Sequence, residues 1–140
     1  MKNLLFLFLL ILLPIKANAD QSGTCGENLT WTYESATQTL TISGTGVMYN
    51  YSEKKYVNGY KTNAPWGNDD ITIRNLIIDN GVTYIGTHAF HGLSSLTLVN
   101  ISNSVSSIGY SAFMSCYNLT TVNIPNSVTF IDNSAFEGCI

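Results

Sequence analysis

The stretch from Ile78 to Phe90 reads Ile-Asp-Asn-Gly-Val-Thr-Tyr-Ile-Gly-Thr-His-Ala-Phe, and the chain repeats its pattern twice more. From Ile101 to Phe113 it reads Ile-Ser-Asn-Ser-Val-Ser-Ser-Ile-Gly-Tyr-Ser-Ala-Phe, and from Ile124 to Phe136 Ile-Pro-Asn-Ser-Val-Thr-Phe-Ile-Asp-Asn-Ser-Ala-Phe. The step is 23 residues each time, with no slip. Val82, Val105 and Val128 correspond, as do Ile85, Ile108 and Ile131, and each Ala-Phe pair returns on the beat. Apolar residues that recur at a long fixed offset imply stacked units, each covering the apolar face of the one before.

A period of this length with aliphatics at fixed offsets predicts an α/β solenoid of leucine-rich-repeat coils. The units run over 73–95, 96–118 and 119–140. Within each, Ile73/Leu96/Leu119, Leu76/Val99/Val122 and Ile78/Ile101/Ile124 form inward ladders on a short strand. Asp132-Asn133-Ser134 supplies capping oxygens ahead of Ala135-Phe136, which predicts one helical turn per coil. Each buried Phe contributes about 1.5–3 kcal/mol. The third unit runs to Ile140 without a polar closing segment, so the expectation is either a fragment of a longer protein or a partner over the last coil.

Residues 20–72 lack the beat. Leu29, Trp31 and Tyr33 alternate with threonines, and so do Leu40 and Ile42, which predicts a β-hairpin with one buried face. Ser43-Gly-Thr-Gly46 has neither the Lys-Ser/Thr nor the following helix of a phosphate loop and reads as a turn. Asn58-Gly59 predicts a tight hairpin turn inside a polar excursion, and Trp66 is placed as the plug between this β-rich cap and the first coil.

Met1-Lys2, the apolar run Leu4–Leu13 and Ala17-Asn18-Ala19 have the layout of a secretory signal peptide cleaved after Ala19, too short to span a bilayer. The chain is therefore expected to be secreted or at the cell surface. After cleavage, four basic residues face nine acidic ones, a charge of −5 that argues against a nucleic-acid or anionic-membrane binder. Cys25, Cys116 and Cys139 are an odd set. Cys116 and Cys139 stand where the first repeat has Leu93, so buried thiols are the preferred reading and a disulfide between coils the other.

The unit Leu-x-x-Val-x-Ile-Pro-x-x-Val-x-x-Ile-x-x-x-Ala-Phe-x-x-Cys, complete from Leu119 to Cys139, resembles the BspA-type leucine-rich repeat. The second unit departs at Ser102, the first at Asp79 and Leu93. Cys25-Gly26, Trp31-Thr-Tyr33, Leu40-Thr-Ile42 and Ala64-Pro65-Trp66 resemble the segment that precedes such repeats. The resemblance implies a surface or secreted protein that adheres to host-matrix proteins and to other microbes; no catalysis or cofactor is expected, and the partner is expected to be an extracellular or host-matrix protein, with a glycan the other candidate.

Two surfaces are candidates for contact. One is the outward strip between the inward aliphatics: Asn75, Ile77, Leu98, Asn100, Thr121 and Asn123, with Ile77 and Leu98 as isolated exposed hydrophobes. The other is the loop carrying Lys54, Lys55, Tyr56, Tyr60 and Lys61, since Tyr favours interfaces. The main alternative is a structural N-terminal fragment of a longer surface protein with little binding of its own, and a carbohydrate module using Tyr and Trp platforms is a third reading. His88 and His91 have no evident third ligand and read as two surface histidines, and no nucleophile–base–acid set stands out; Asp69-Asp70 reads as a solvated pair. Sequons begin at Asn28, Asn50, Asn100 and Asn118; a glycan on Asn100 would obstruct the strip.

Overall fold

The computed structural model describes residues 21–140, so the expected signal peptide lies outside the described residues. Eleven strands appear: β1 (Gln21–Thr24), β2 (Leu29–Glu34), β3 (Thr39–Gly44), β4 (Gly46–Val47), β5 (Glu53–Tyr56), β6 (Gly59–Thr62), β7 (Asn75–Ile78), β8 (Val82–Ile85), β9 (Leu98–Ile101), β10 (Ser107–Ile108) and β11 (Phe130–Ile131). They form one sheet in the order β1-β2-β3-β7-β9, a second in the order β11-β10-β8-β4, and the separate pair β5-β6.

The 23-residue beat becomes two parallel ladders. Leu76 pairs with Val99 and Ile78 with Ile101, and a bridge from Asn100 to Asn123 carries the first sheet into the third repeat. In the second sheet Ile85, Ile108 and Ile131 stand side by side. The predicted hairpin is present, with Leu29, Trp31, Tyr33, Leu40 and Ile42 buried and their threonine neighbours outward. Its second strand does more than cap: Leu40 pairs in parallel with Leu76 and Ile42 with Ile78, and β4 lies beside β8. Residues 39–47 thus contribute strands to both repeat sheets. The chain passes from one sheet to the other at Thr45, between Gly44 and Gly46 at φ +109° and +100°. A side chain at Gly44 would run into the Asn28 carbonyl oxygen, so the corner needs glycine there.

The third side of each repeat departs from expectation, because no helix occurs among the described residues. The Ala-Phe segment is a ribbon of successive turns. His88, Ser111 and Ser134 sit at φ +51°, +51° and +57°, in the left-handed region, which ends any helical run before it starts. The N–H groups then alternate. Ala89 and His91 donate locally to Gly86 and His88, whereas His88, Phe90 and Gly92 donate to Tyr110, Ala112 and Met114 of the next repeat. Asp132-Asn133-Ser134 has the composition of a helix cap, but these residues open only a turn, with Ala135 and Glu137 donating locally to Asp132 and Ser134.

Inside, the rings stack: Phe90 on Phe113 and Phe113 on Phe136, each at 5.2 Å between centroids. Trp66 extends the column, lying 5.7 Å from Phe90 and donating its indole N–H to the Ala89 carbonyl at 2.9 Å. It occupies the place read for it. The ladders are buried through two repeats and open at the third, where Val122 is half-buried and Ile124 and Ile131 are exposed. Their inward assignment carries over only as a direction; with no fourth repeat described, their outer flank faces solvent.

All three cysteines are free thiols. Cys116 donates to the Phe90 carbonyl and Cys139 to the Phe113 carbonyl, each at 3.2 Å, so the pair repeats one repeat apart. Hydrogen bonding between the two thiols, with burial adding to it, pushes Cys116 well up. The same bond draws Cys139 down to about 7. Alkylation of the native protein should therefore fall on half-buried Cys139, its rate rising about tenfold per pH unit below pH 7 and levelling above it. Buried Cys25 and Cys116 should react only in denaturant. Mass mapping after a short iodoacetamide pulse checks this, and equal labelling of Cys116 would contradict its burial.

Candidate functional site

Five of the six strip residues stand side by side across the sheet. Asn75 lies beside Leu98, Ile77 beside Asn100, and Asn100 beside Asn123. Leu98 is 58% exposed, and Asn100, Thr121 and Asn123 are exposed as well. Asn75 and Ile77 are only half-buried rather than open, and Asn75 spends its amide on the Thr37 carbonyl at 3.1 Å, so the apolar contact centres on Leu98. The face also reaches further than the repeats. Thr39 and Thr41 pair with Asn75 and Ile77, and Thr32 pairs with Thr41, so outward threonines of β2 and β3 continue the strip. Sequence reading missed them because the 23-residue offset stops at residue 73; only alternation within the hairpin hinted at which face they share. At the opposite edge Asn100, Asn103, Asn123 and Asn126 line one open groove.

The Tyr/Lys loop is a real hairpin, but its turn falls on Val57-Asn58, one residue earlier than Asn58-Gly59 suggested, because Gly59 pairs with Tyr56. Much of its chemistry is used internally. Lys54 and Lys61 place their ammonium groups 5.3 Å and 5.8 Å from the Tyr56 ring, and Lys61 also pairs with Asp69 at 2.6 Å. That ammonium holds the Asp69 carboxyl below its usual value. Lys55 and Tyr60 remain as exposed groups. The hairpin is pinned to the turn ribbon, Thr62 donating to the His91 carbonyl at 2.9 Å, and so lies on a different side of the repeats from the strip.

The two histidines do not both face solvent. His91 is 3% exposed, and its ring faces that of His88 with the Nδ1 atoms 3.1 Å apart. Tyr110 presents its ring edge-on to His88, and a carboxylate oxygen of Glu53 lies 4.0 Å from His91 Nδ1. Burial lowers the His91 pKa, the neighbouring His88 adds to this, and Glu53 opposes it. Among the described residues no group of three His, Cys, Asp or Glu side chains is placed to hold a metal ion. Both tryptophans are buried, Trp31 at 4% and Trp66 at 0% exposure, so neither is a platform for sugar rings. Asn50 accepts from the Tyr84 hydroxyl and the Thr87 N–H, both at 2.9 Å, whereas Asn100 stands open on the strip.

Residues 68–140 match the family model of the BspA type leucine rich repeat region (6 copies). Among curated proteins none matches the chain. A leucine-rich repeat protein from Eubacterium ventriosum superposes with a TM-score of 0.65 at 26% identity, over 81% of this chain and 28% of that one. A leucine rich cell surface protein from Faecalibacterium prausnitzii is 26% identical over 84% of this chain and 34% of that one, with a TM-score of 0.49. The chain thus spans about a third or less of the length of these two solved relatives.

Proposed function

We propose, from the premise that this chain belongs to the BspA type leucine-rich-repeat family, that it is an exported, non-catalytic module that binds protein at the cell exterior through the outer face of its larger sheet. The observation carrying this is the contrast within β7 and β9. Inward positions stay aliphatic (Leu76, Val99, Val122), whereas the outward positions beside them change from Asn75 to Leu98 to Thr121. Packing constrains the first set, whereas Leu98 and Thr121 of the second are exposed to solvent. An exposed Leu flanked by amides and threonines combines an apolar anchor with a polar surround, the composition of a contact patch. The Tyr/Lys loop is the weaker candidate, because Tyr56 and Lys61 already satisfy one another and Asp69. The signal-peptide layout supports export, and adhesion to an extracellular matrix protein is the role the family suggests.

A glycan ligand is the second reading, favoured by the groove of Asn100, Asn103, Asn123 and Asn126, whose amides match hydroxyl-rich chemistry. The test is binding of the full chain to matrix-protein and glycan arrays, repeated with Leu98→Asp and with Lys55→Glu. For a protein ligand, Leu98→Asp should weaken binding at least about tenfold, as loss of a central anchor does, and Lys55→Glu should leave it within about twofold. Undiminished binding by Leu98→Asp would remove the sheet face from consideration.

A further inference from the structure

We infer that His88, His91 and Glu53 make the β5–β6 hairpin an acid-sensitive flap, closed on the first repeat while the imidazole pair holds at most one proton and lifted when it takes a second. The two rings face one another at 5.2 Å between centroids, with their Nδ1 atoms 3.1 Å apart. Across that gap one Nδ1 donates and the other accepts, which two neutral rings, or one neutral and one protonated, can satisfy. Two imidazolium rings cannot, because each Nδ1 then carries a hydrogen and like charges meet at hydrogen-bond distance. His91 has no retreat in place, being 3% exposed. The other groups that face the pair do not answer a second charge. Glu53 on β5 sets one carboxylate oxygen 4.0 Å from His91 Nδ1, but its side chain is 55% exposed and offsets a single proton. The β6 strand passes Lys61 over Gly92 with its ammonium already on Asp69 at 2.6 Å, and Tyr110 of the second repeat presents an uncharged ring edge to His88.

The pair sits where the flap meets the repeat. Thr62 of β6 donates its N–H to the His91 carbonyl at 2.9 Å, and Glu53 is the registered partner of Thr62 across the hairpin. Parting the rings therefore displaces the residue that receives the flap's bond. Stacking does not call for these side chains. The equivalent positions hold Ser111 and Met114 in the second repeat and Ser134 and Glu137 in the third, with the first of each pair at a similar left-handed φ, +51° and +57°. The histidines stand together only in the repeat that the hairpin covers. Burial first, and then the neighbouring imidazole, holds His91 below the ordinary imidazole pKa, and Glu53 opposes both. A lifted flap returns the rings to water and binds the extra proton more readily than a closed one. The closed form is thus favoured at neutral pH and loses that advantage as pH falls through about 6.5, the ordinary imidazole value. The flap carries Lys55 and Tyr60, so acid changes how that exposed pair is presented, whatever ligand the sheet face takes.

The experiment is amide hydrogen exchange of the full chain by NMR between about pH 7 and about pH 5, above the ordinary carboxylate range, with each rate divided by the unstructured rate at that pH. Lifting that takes up one extra proton should raise the opening constant at the Thr62 N–H about tenfold over this interval. The Gly109 N–H, bonded to Ile85 at 2.8 Å between repeats, should keep its protection. Glu53→Gln removes the carboxylate that offsets the repulsion and should make the rise at Thr62 steeper. His88→Asn leaves a single ring, on a residue type that accepts the left-handed φ, and should make the rise shallower. Both positions are exposed or half-buried, and circular dichroism checks folding at each pH. Equal protection of Thr62 across the interval overturns the inference, as does loss of Gly109 protection in step with it. A rise that His88→Asn leaves unchanged, or that Glu53→Gln flattens, overturns it equally. So does tighter protection in acid, the mark of a Glu53–His91 ion pair holding the flap.

Discussion

Phe113→Ala will cost about 3–5 kcal/mol and unfold most of the repeat region with it. Phe113 is fully buried and is, among the described residues, the one phenylalanine with a stacked phenylalanine on each side, at 5.2 Å from both Phe90 and Phe136. Truncation removes its transfer energy and opens a cavity that Phe90 cannot fill, because its N–H is held by the Ala112 carbonyl of the adjacent repeat, while the Phe136 carbonyl is tied into its own turn by the Cys139 N–H. Against a typical domain stability of about 5–15 kcal/mol this is a large share. Phe136→Ala is the internal comparison. That ring is half-buried and stacks on one phenylalanine only, so its loss should cost about 1–2 kcal/mol, less than full burial of a Phe is worth. Urea unfolding followed by circular dichroism separates the two. Equal midpoints for Phe113→Ala and the parent would mean that the ring column does not hold the repeats together.

That column also shows which parts of the fold were legible in the sequence. An apolar residue repeating every 23 positions has one physical explanation, contact with its own counterpart, so the Val82, Ile85, Ala89 and Phe90 ladders could be read directly. The conformation of the third side could not. A single helical turn and a ribbon of turns both place Ala and Phe inward; they differ in whether the N–H of Phe90 bonds within its own segment or to Ala112, which is a long-range choice. The left-handed φ of His88, Ser111 and Ser134 decided it, and none of these is the glycine that would announce such a backbone. The site shows the same division. The strip was visible because it alternates with the ladders, whereas its continuation onto Thr32, Thr39 and Thr41 depends on β3 joining β7 in parallel. His91 looked exposed because its counterparts are Met114 and Glu137; it is covered by the β5–β6 hairpin, which the other repeats lack.

The joint between that leading segment and the repeats rests on Trp66, and its removal is expected to rival Phe113→Ala. The indole is 0% exposed, stacks on Phe90 at 5.7 Å and meets Trp31 and Tyr51 edge-on at 5.7 and 5.5 Å. Trp66→Ala should lower stability by about 3–5 kcal/mol. Trp66→Phe retains a ring on Phe90 but strands the Ala89 carbonyl that accepted the indole N–H at 2.9 Å, an error of about 1–3 kcal/mol. The order parent, Trp66→Phe, Trp66→Ala is therefore expected in urea midpoints. A second consequence concerns cooperativity. The chain has two tryptophans, so in either variant Trp31 alone reports on the leading hairpin, while far-UV circular dichroism reports on all strands. Pairing of β3 with β7 couples hairpin and repeats through the backbone, and Trp66 couples them through the core. With the core link cut, the Trp31 fluorescence transition should move to lower urea than the circular-dichroism transition; with Trp66→Phe the two should stay together. Coincident transitions in Trp66→Ala at an unchanged midpoint would place the joint in the β3–β7 pairing alone, because backbone coupling would then suffice without the indole.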